Sequence, residues 1–171
     1  MRYDFFDLRT QFPCALAIAG RCLADFPRHH LIRQQGKRLA EERGLDLLLT
    51  DGPPGIGCPV IASVSNTDLV LIVAEPTLSG IHDMERALTL AFHFGVKPLV
   101  CINKYDINPQ NTTVIEDFCR ARGLEVVGRI PYDPRVGQAL LQAKSVIEYP
   151  CGEVTGEVKQ VWERAEELLR R

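Results

Sequence analysis

At 171 residues, with 46% hydrophobic and 25% charged side chains, the composition is that of one soluble domain able to bury its own core. Lys and Arg number 20 against 22 Asp and Glu, and a net charge of -2 excludes a global pull toward nucleic-acid phosphates or an anionic membrane surface. The six cysteines (Cys14, Cys22, Cys58, Cys101, Cys119, Cys151) include no CxxC pair, which points to a reduced, cytoplasmic protein and away from a disulfide scaffold. The apolar stretch Ala15 to Ala19 is far short of the ~20 residues a membrane helix needs. Asp4 and Asp7 replace the basic start of a secretion signal, so neither span nor leader is expected.

Residues 1–30 scatter Phe5, Phe6, Phe12, Phe26, Pro13 and Pro27 without a period and form a poorly defined segment, in which only Cys14 to Ala19 suits a strand or buried helix. From residue 31 to 171 helical patterns alternate with short apolar runs, the signature of β-α units around a parallel sheet. Leu31 to Arg43 reads as a helix stopped by Gly44. Leu45 to Thr50 reads as a strand buried on both faces, because Leu47, Leu48 and Leu49 are consecutive, and Asp51 stands at its end. A turn-rich stretch and a helical segment lead to a second buried strand, Asp68 to Ala74, which exits through Glu75-Pro76-Thr77.

Ser79 is placed to cap a helix carrying Ile81, Met84, Leu88 and Ala91, closed by Gly95. The strand Lys97 to Ile102 ends in Asn103-Lys104-Tyr105-Asp106. A helix over Asn111 to Arg122, ended by Gly123, precedes a fourth strand, Glu125 to Ile130. Asp133 suits the cap of a short helix with Pro134 at its first position, and Val154 to Arg171 is a final amphipathic helix. The expected architecture is α/β: three layers, with a mostly parallel sheet and helices on both faces.

The run Leu47-Leu48-Leu49-Thr50-Asp51-Gly52-Pro53-Pro54-Gly55 resembles a Walker B and switch II element. A carboxylate there orients water on Mg²⁺, a hard cation that keeps several waters while bridging phosphates. Gly55 lets a backbone N–H approach a terminal phosphate, and Pro53 and Pro54 fix the turn. The alternative is a stiff strand-to-helix turn without ligand. Asn103 offers an amide donor and acceptors that can read a purine edge at a strand's C-terminal end.

Together DGPPGIGCPVIASVSNTDLVLIVAEPTLSGIHDMERAL, LVCINKYD and GRIPYDP resemble the MinD/ParA-like P-loop ATPase superfamily, especially its branch with an inserted ferredoxin domain. The resemblance runs from Leu31 to the C-terminus and implies the C-terminal half of a P-loop NTPase fold, which binds Mg-ATP between two subunits. It makes Asp51 the catalytic switch II acid, holding Mg²⁺ through water. It also assigns Gly52, Pro54 and Gly55 to the phosphate turn, Asn103 to the adenine edge, and Pro131, Tyr132 and Asp133 to the loop whose backbone contacts the base. Lys104 and Asp106 complete a tetrad that also resembles the NKxD motif of GTPases, whose acid accepts from guanine, so GTP is the alternative nucleotide.

The 171 residues contain no GxxxxGK[ST] run; Gly36-Lys37 is followed by Arg38 inside a helical pattern. They also lack the clustered thiolates of a ferredoxin unit, so no iron-sulfur cluster is expected in this chain. The expectation is a truncated or split ATP-binding protein, inactive alone, that works as a homodimer or beside a chain supplying the P-loop half. Its competitor is a non-catalytic interaction module that keeps the scaffold without the nucleotide chemistry.

Overall fold

The computed structural model describes residues 34–52 and 58–170. The chain divides into two compact units, residues 1–65 and 66–171. Cys14 to Ala19, the helix positions 31–33 and the turn residues Pro53, Pro54 and Gly55 lie outside the described residues.

In the first unit residues 34–43 are helical (α1), and Gly44 follows at a left-handed φ of 62°, as a helix stop favours. The expected strand Leu45 to Thr50 is absent: the segment is irregular and Asp51 follows it without a strand end. Leu49 is 69% exposed, whereas Leu48 lies against Gly36 of α1. An apolar run becomes a strand only where a neighbour completes its hydrogen-bond ladder, and no described residue does so here. Cys58–Val64 forms the short helix α2.

The second unit carries β1 (Leu69–Ala74), β2 (Lys97–Asn103) and β3 (Val126–Ile130), all parallel in the order β1-β2-β3. The crossovers are α3 (Leu78–His93) and α4 (Pro109–Ala121), and α5 (Pro134–Leu141) and α6 (Glu153–Leu169) follow β3. Ala74 pairs with Ile102 and Asn103 with Ile130, so the three strands finish along one sheet edge.

Thr77, and not Ser79, caps α3: its backbone is extended and its side chain accepts the Gly80 N–H at 2.9 Å, which leaves Ser79 inside the first turn. Asn108 caps α4 by accepting the Asn111 N–H, with Pro109 at the first helical position, where its missing N–H has no consequence. Gly95 and Gly123, both at φ 64°, turn the chain from helix into the next strand.

Helices cover both faces of the sheet. On one face Ile72, Ala74, Val100 and Ile102 pack with Met84 and Leu88 of α3 and Ile115 and Cys119 of α4. On the other, Leu99, Leu69 and Val127 pack with Ala165 and Leu168 of α6. Each fully buried aliphatic side chain in these layers contributes about 1.5–3 kcal/mol. Gly128 sets the approach of α6, because a Cβ there would meet Val161 Cγ2 at 2.3 Å. β1 departs from the expectation of burial on both faces: Leu71 and Val73, beyond the reach of the α6 cluster, are 38% and 56% exposed.

Two substitutions test this packing. Gly80→Ala should stabilise an ordinary helix by about 1 kcal/mol. Here the new Cβ would lie 2.3 Å from the Glu75 carbonyl oxygen, so the clash dominates. The predicted loss is about 1–3 kcal/mol in urea unfolding, and a raised midpoint would contradict it. Buried Thr112 donates its hydroxyl hydrogen to the Tyr105 carbonyl at 2.7 Å. Thr112→Val keeps the shape but leaves that carbonyl without its donor, and should cost about 1–3 kcal/mol in the same assay.

Candidate functional site

Parallel sheets bind ligands outside the C-terminal ends of their strands, where loops converge and the intervening helices begin. That edge here holds Glu75-Pro76-Thr77 after β1, Asn103 to Asp106 at the end of β2, and Pro131 to Asp133 after β3. The fold therefore gathers Asn103, Lys104, Asp106, Pro131, Tyr132 and Asp133 at one edge. Asp51 and Gly52, both exposed, belong to the first unit.

Side chains tie the three strand exits together. Lys104 Nζ donates to Glu75 Oε1 at 2.6 Å, joining the β2 exit to the β1 exit. The two side chains are 38% and 44% exposed, so the pair contributes at most about 1 kcal/mol and its effect is mainly geometric. Lys104 itself has a left-handed φ of 55°, an unfavourable conformation for a residue with a Cβ, held by the turn that follows β2. Asn111 Nδ2, at the start of α4, donates to the Pro76 carbonyl at 3.1 Å.

Between β2 and β3, the Tyr105 N–H donates to the Ile130 carbonyl at 3.2 Å and the Tyr132 N–H to Asp106 Oδ1 at 2.8 Å. Asp133 is the cap of α5 and accepts from the Arg135 N–H at 2.8 Å. The Arg135 guanidinium, and then its backbone N–H, hold the Asp133 carboxyl below the usual carboxylate range. A lowered value means the interaction is fully present above the ordinary carboxylate range. It is lost only as pH falls through the lowered value.

Asn103 differs from its neighbours. Half-buried at the end of β2, its side-chain amide makes no hydrogen bond to a described residue. It retains two donors and a carbonyl acceptor, the set needed to read a purine edge. Glu75 and Asn111 are the members of this edge that sequence reasoning missed, since their partners lie 29 and 35 residues away.

A cleft of about 510 Å³ runs along β3 beside α6 from Tyr105 of the β2 exit, lined also by Arg129, Glu153 and Glu157. Arg129 is already paired with Glu116 at 3.0 Å. Cys101, Cys119 and Cys151 are buried free thiols; burial first, and then the Glu157 charge, pushes Cys101 up to about 11, leaving it protonated near neutral pH. No described helix is long and apolar enough to cross a membrane.

No family model matches the chain. It is similar to an uncharacterized protein of Methanocaldococcus jannaschii, 29% identical over 133 residues that make up 78% of this chain and 44% of that one. An uncharacterized ATP-binding protein of the same organism is 31% identical over 112 residues, 64% of this chain and 42% of the relative. The iron-sulfur cluster carrier protein of Aquifex aeolicus is 28% identical over 123 residues, 64% of this chain and 34% of the carrier. The chain thus spans less than half the length of these relatives.

Among solved structures, the MinD cell division protein of Aquifex aeolicus superposes with a TM-score of 0.68 at 20% identity, over 84% of this chain and 61% of that one. The same organism's MinC:MinD cell division protein complex gives 0.65 at 22% identity, over 80% and 59%. The chain therefore has the fold of the MinD ATPases and a sequence likeness to MinD/ParA-like ATP-binding proteins, the superfamily its three motifs resemble.

Proposed function

We propose that this chain contributes the base-binding edge and the switch II acid of a MinD-like Mg-ATP site, with the phosphate-gripping loop supplied from outside these 171 residues. The observation that carries this reading is the half-buried Asn103 amide, with donors and acceptor uncommitted among the described residues, at the C-terminal edge of a parallel sheet. Asn103 would hydrogen-bond the adenine edge, and the backbone of Pro131, Tyr132 and Asp133 would line the base. Asp51 would hold magnesium through water, and the Gly52, Pro54 and Gly55 turn would bring a backbone N–H to the terminal phosphate. Bound magnesium would supply charge neutralisation at the phosphates.

The ATP-binding relative of Methanocaldococcus jannaschii favours ATP as the nucleotide. Likeness to an iron-sulfur cluster carrier supports a working context in iron-sulfur protein assembly, in the cytoplasm, where thiols such as Cys101 stay reduced. The MinC:MinD complex supports assembly with a second subunit, either a copy of this chain or a chain bearing the phosphate loop.

Calorimetric titration with Mg-ATP tests the proposal. The chain alone should bind weakly, and mixing it with a MinD-like chain that carries a P-loop should tighten binding. Asn103→Ala should weaken binding by roughly tenfold, the loss of one or two neutral hydrogen bonds at about 1 kcal/mol each. Absence of heat in both mixtures would favour a non-catalytic interaction module instead. A robust ATPase rate from the chain alone would contradict the need for an external phosphate loop.

A further inference from the structure

We propose that Asp106 is a positioning residue that fixes the β3–α5 loop beside Asn103, and that its carboxylate is thereby withdrawn from recognising a purine. The first half stands on the chain's own geometry; the second rests on the nucleotide reading above.

The tetrad Asn103-Lys104-Tyr105-Asp106 carries three polar side chains that could face a base, besides the Tyr105 phenol. Two are committed elsewhere. Lys104 reaches Glu75 at 2.6 Å, and Asp106 Oδ1 accepts the Tyr132 N–H at 2.8 Å. An acid that reads guanine must offer its two oxygens side by side to two N–H groups of the base. The Tyr132 N–H occupies one of the carboxylate's acceptor positions and leaves Oδ2 open, but it sets the orientation of the group. Turning both oxygens toward a base would give up a charge-assisted bond about twice as strong as a neutral one.

The position of that bond explains its use. The β2–β3 ladder ends at the Asn103–Ile130 pair, and the Tyr105 N–H to Ile130 carbonyl bond carries it one step further. Beyond that, Pro131 has no N–H to donate. Asp106 supplies an acceptor for the next available N–H, that of Tyr132, and so continues the pairing by a side chain where the main chain cannot. The loop that follows β3 is thus held at the β2 exit before any ligand arrives, and Asn103 is left as the tetrad's readout.

Amide hydrogen exchange at Tyr132 in the 171-residue chain, without nucleotide, decides the positioning role. Asp106→Ala should raise that rate about tenfold while the thermal melt still reports a folded protein, and Asp106→Asn, whose amide oxygen can accept the same bond, should restore protection. Unchanged exchange in D106A, or D106N behaving like D106A, overturns the proposal. Competition of Mg-GTP against Mg-ATP then decides the second half. D106N should leave the ratio within about twofold of the wild type, whereas a selective loss of GTP binding identifies Asp106 as a guanine reader and overturns that half. Should neither nucleotide bind, the nucleotide reading fails and Asp106 is withdrawn from no base, while the exchange rates still decide the loop clamp.

Discussion

The parallel register of β1, β2 and β3 is the constraint on which everything else in the second unit depends. Because Ala74 pairs with Ile102 and Asn103 with Ile130, three exits separated by long stretches of sequence arrive at one edge. The apolar layers beneath hold that register: Ile72, Val100 and Ile102 against α3 and α4, and Leu99 against α6. Sliding any strand by one residue would turn its buried side chains to the opposite face, so the core also fixes what stands at the tips.

The polar contacts at the edge do different work. Glu75 with Lys104, Asn111 with the Pro76 carbonyl, and Asp106 with the Tyr132 N–H are exposed or half-exposed and add little to global stability. What they add is definition, since each joins one strand exit to the next. A loop cluster fixed by the chain's own side chains loses less entropy on meeting a ligand, which is the thermodynamic meaning of preorganisation. Among the described side chains at this edge, the half-buried Asn103 amide keeps its donors and acceptor uncommitted, which makes it the proposed point of recognition.

Much of this was legible in the sequence, for identifiable reasons. Uninterrupted apolar runs such as Leu69–Ala74 and the terminators Gly95 and Gly123 mark strands and helix ends through local physics alone. Asn103, Lys104, Asp106 and Pro131 to Asp133 could be placed at the edge because parallel β-α units always bring strand ends together. Leu45 to Thr50 misled because hydrophobicity reports a wish for burial and says nothing of a ladder partner. Thr77 displaced Ser79 as a cap through the backbone path out of β1, which composition does not encode. The commitments of Lys104 and Asp106 were illegible because their partners are 29 and 26 residues distant.

The MinD structures share this chain's fold, and the ATP-binding relative supports the proposal of a nucleotide at this edge. Amide chemical-shift mapping of the chain on addition of Mg-ATP tests that claim most directly. The account predicts shifts concentrated at the Asn103 side-chain amide and at the backbone N–H groups of Lys104, Tyr132 and Asp133. Shifts confined to the cleft beside α6, or to no residue at the strand exits, would contradict it.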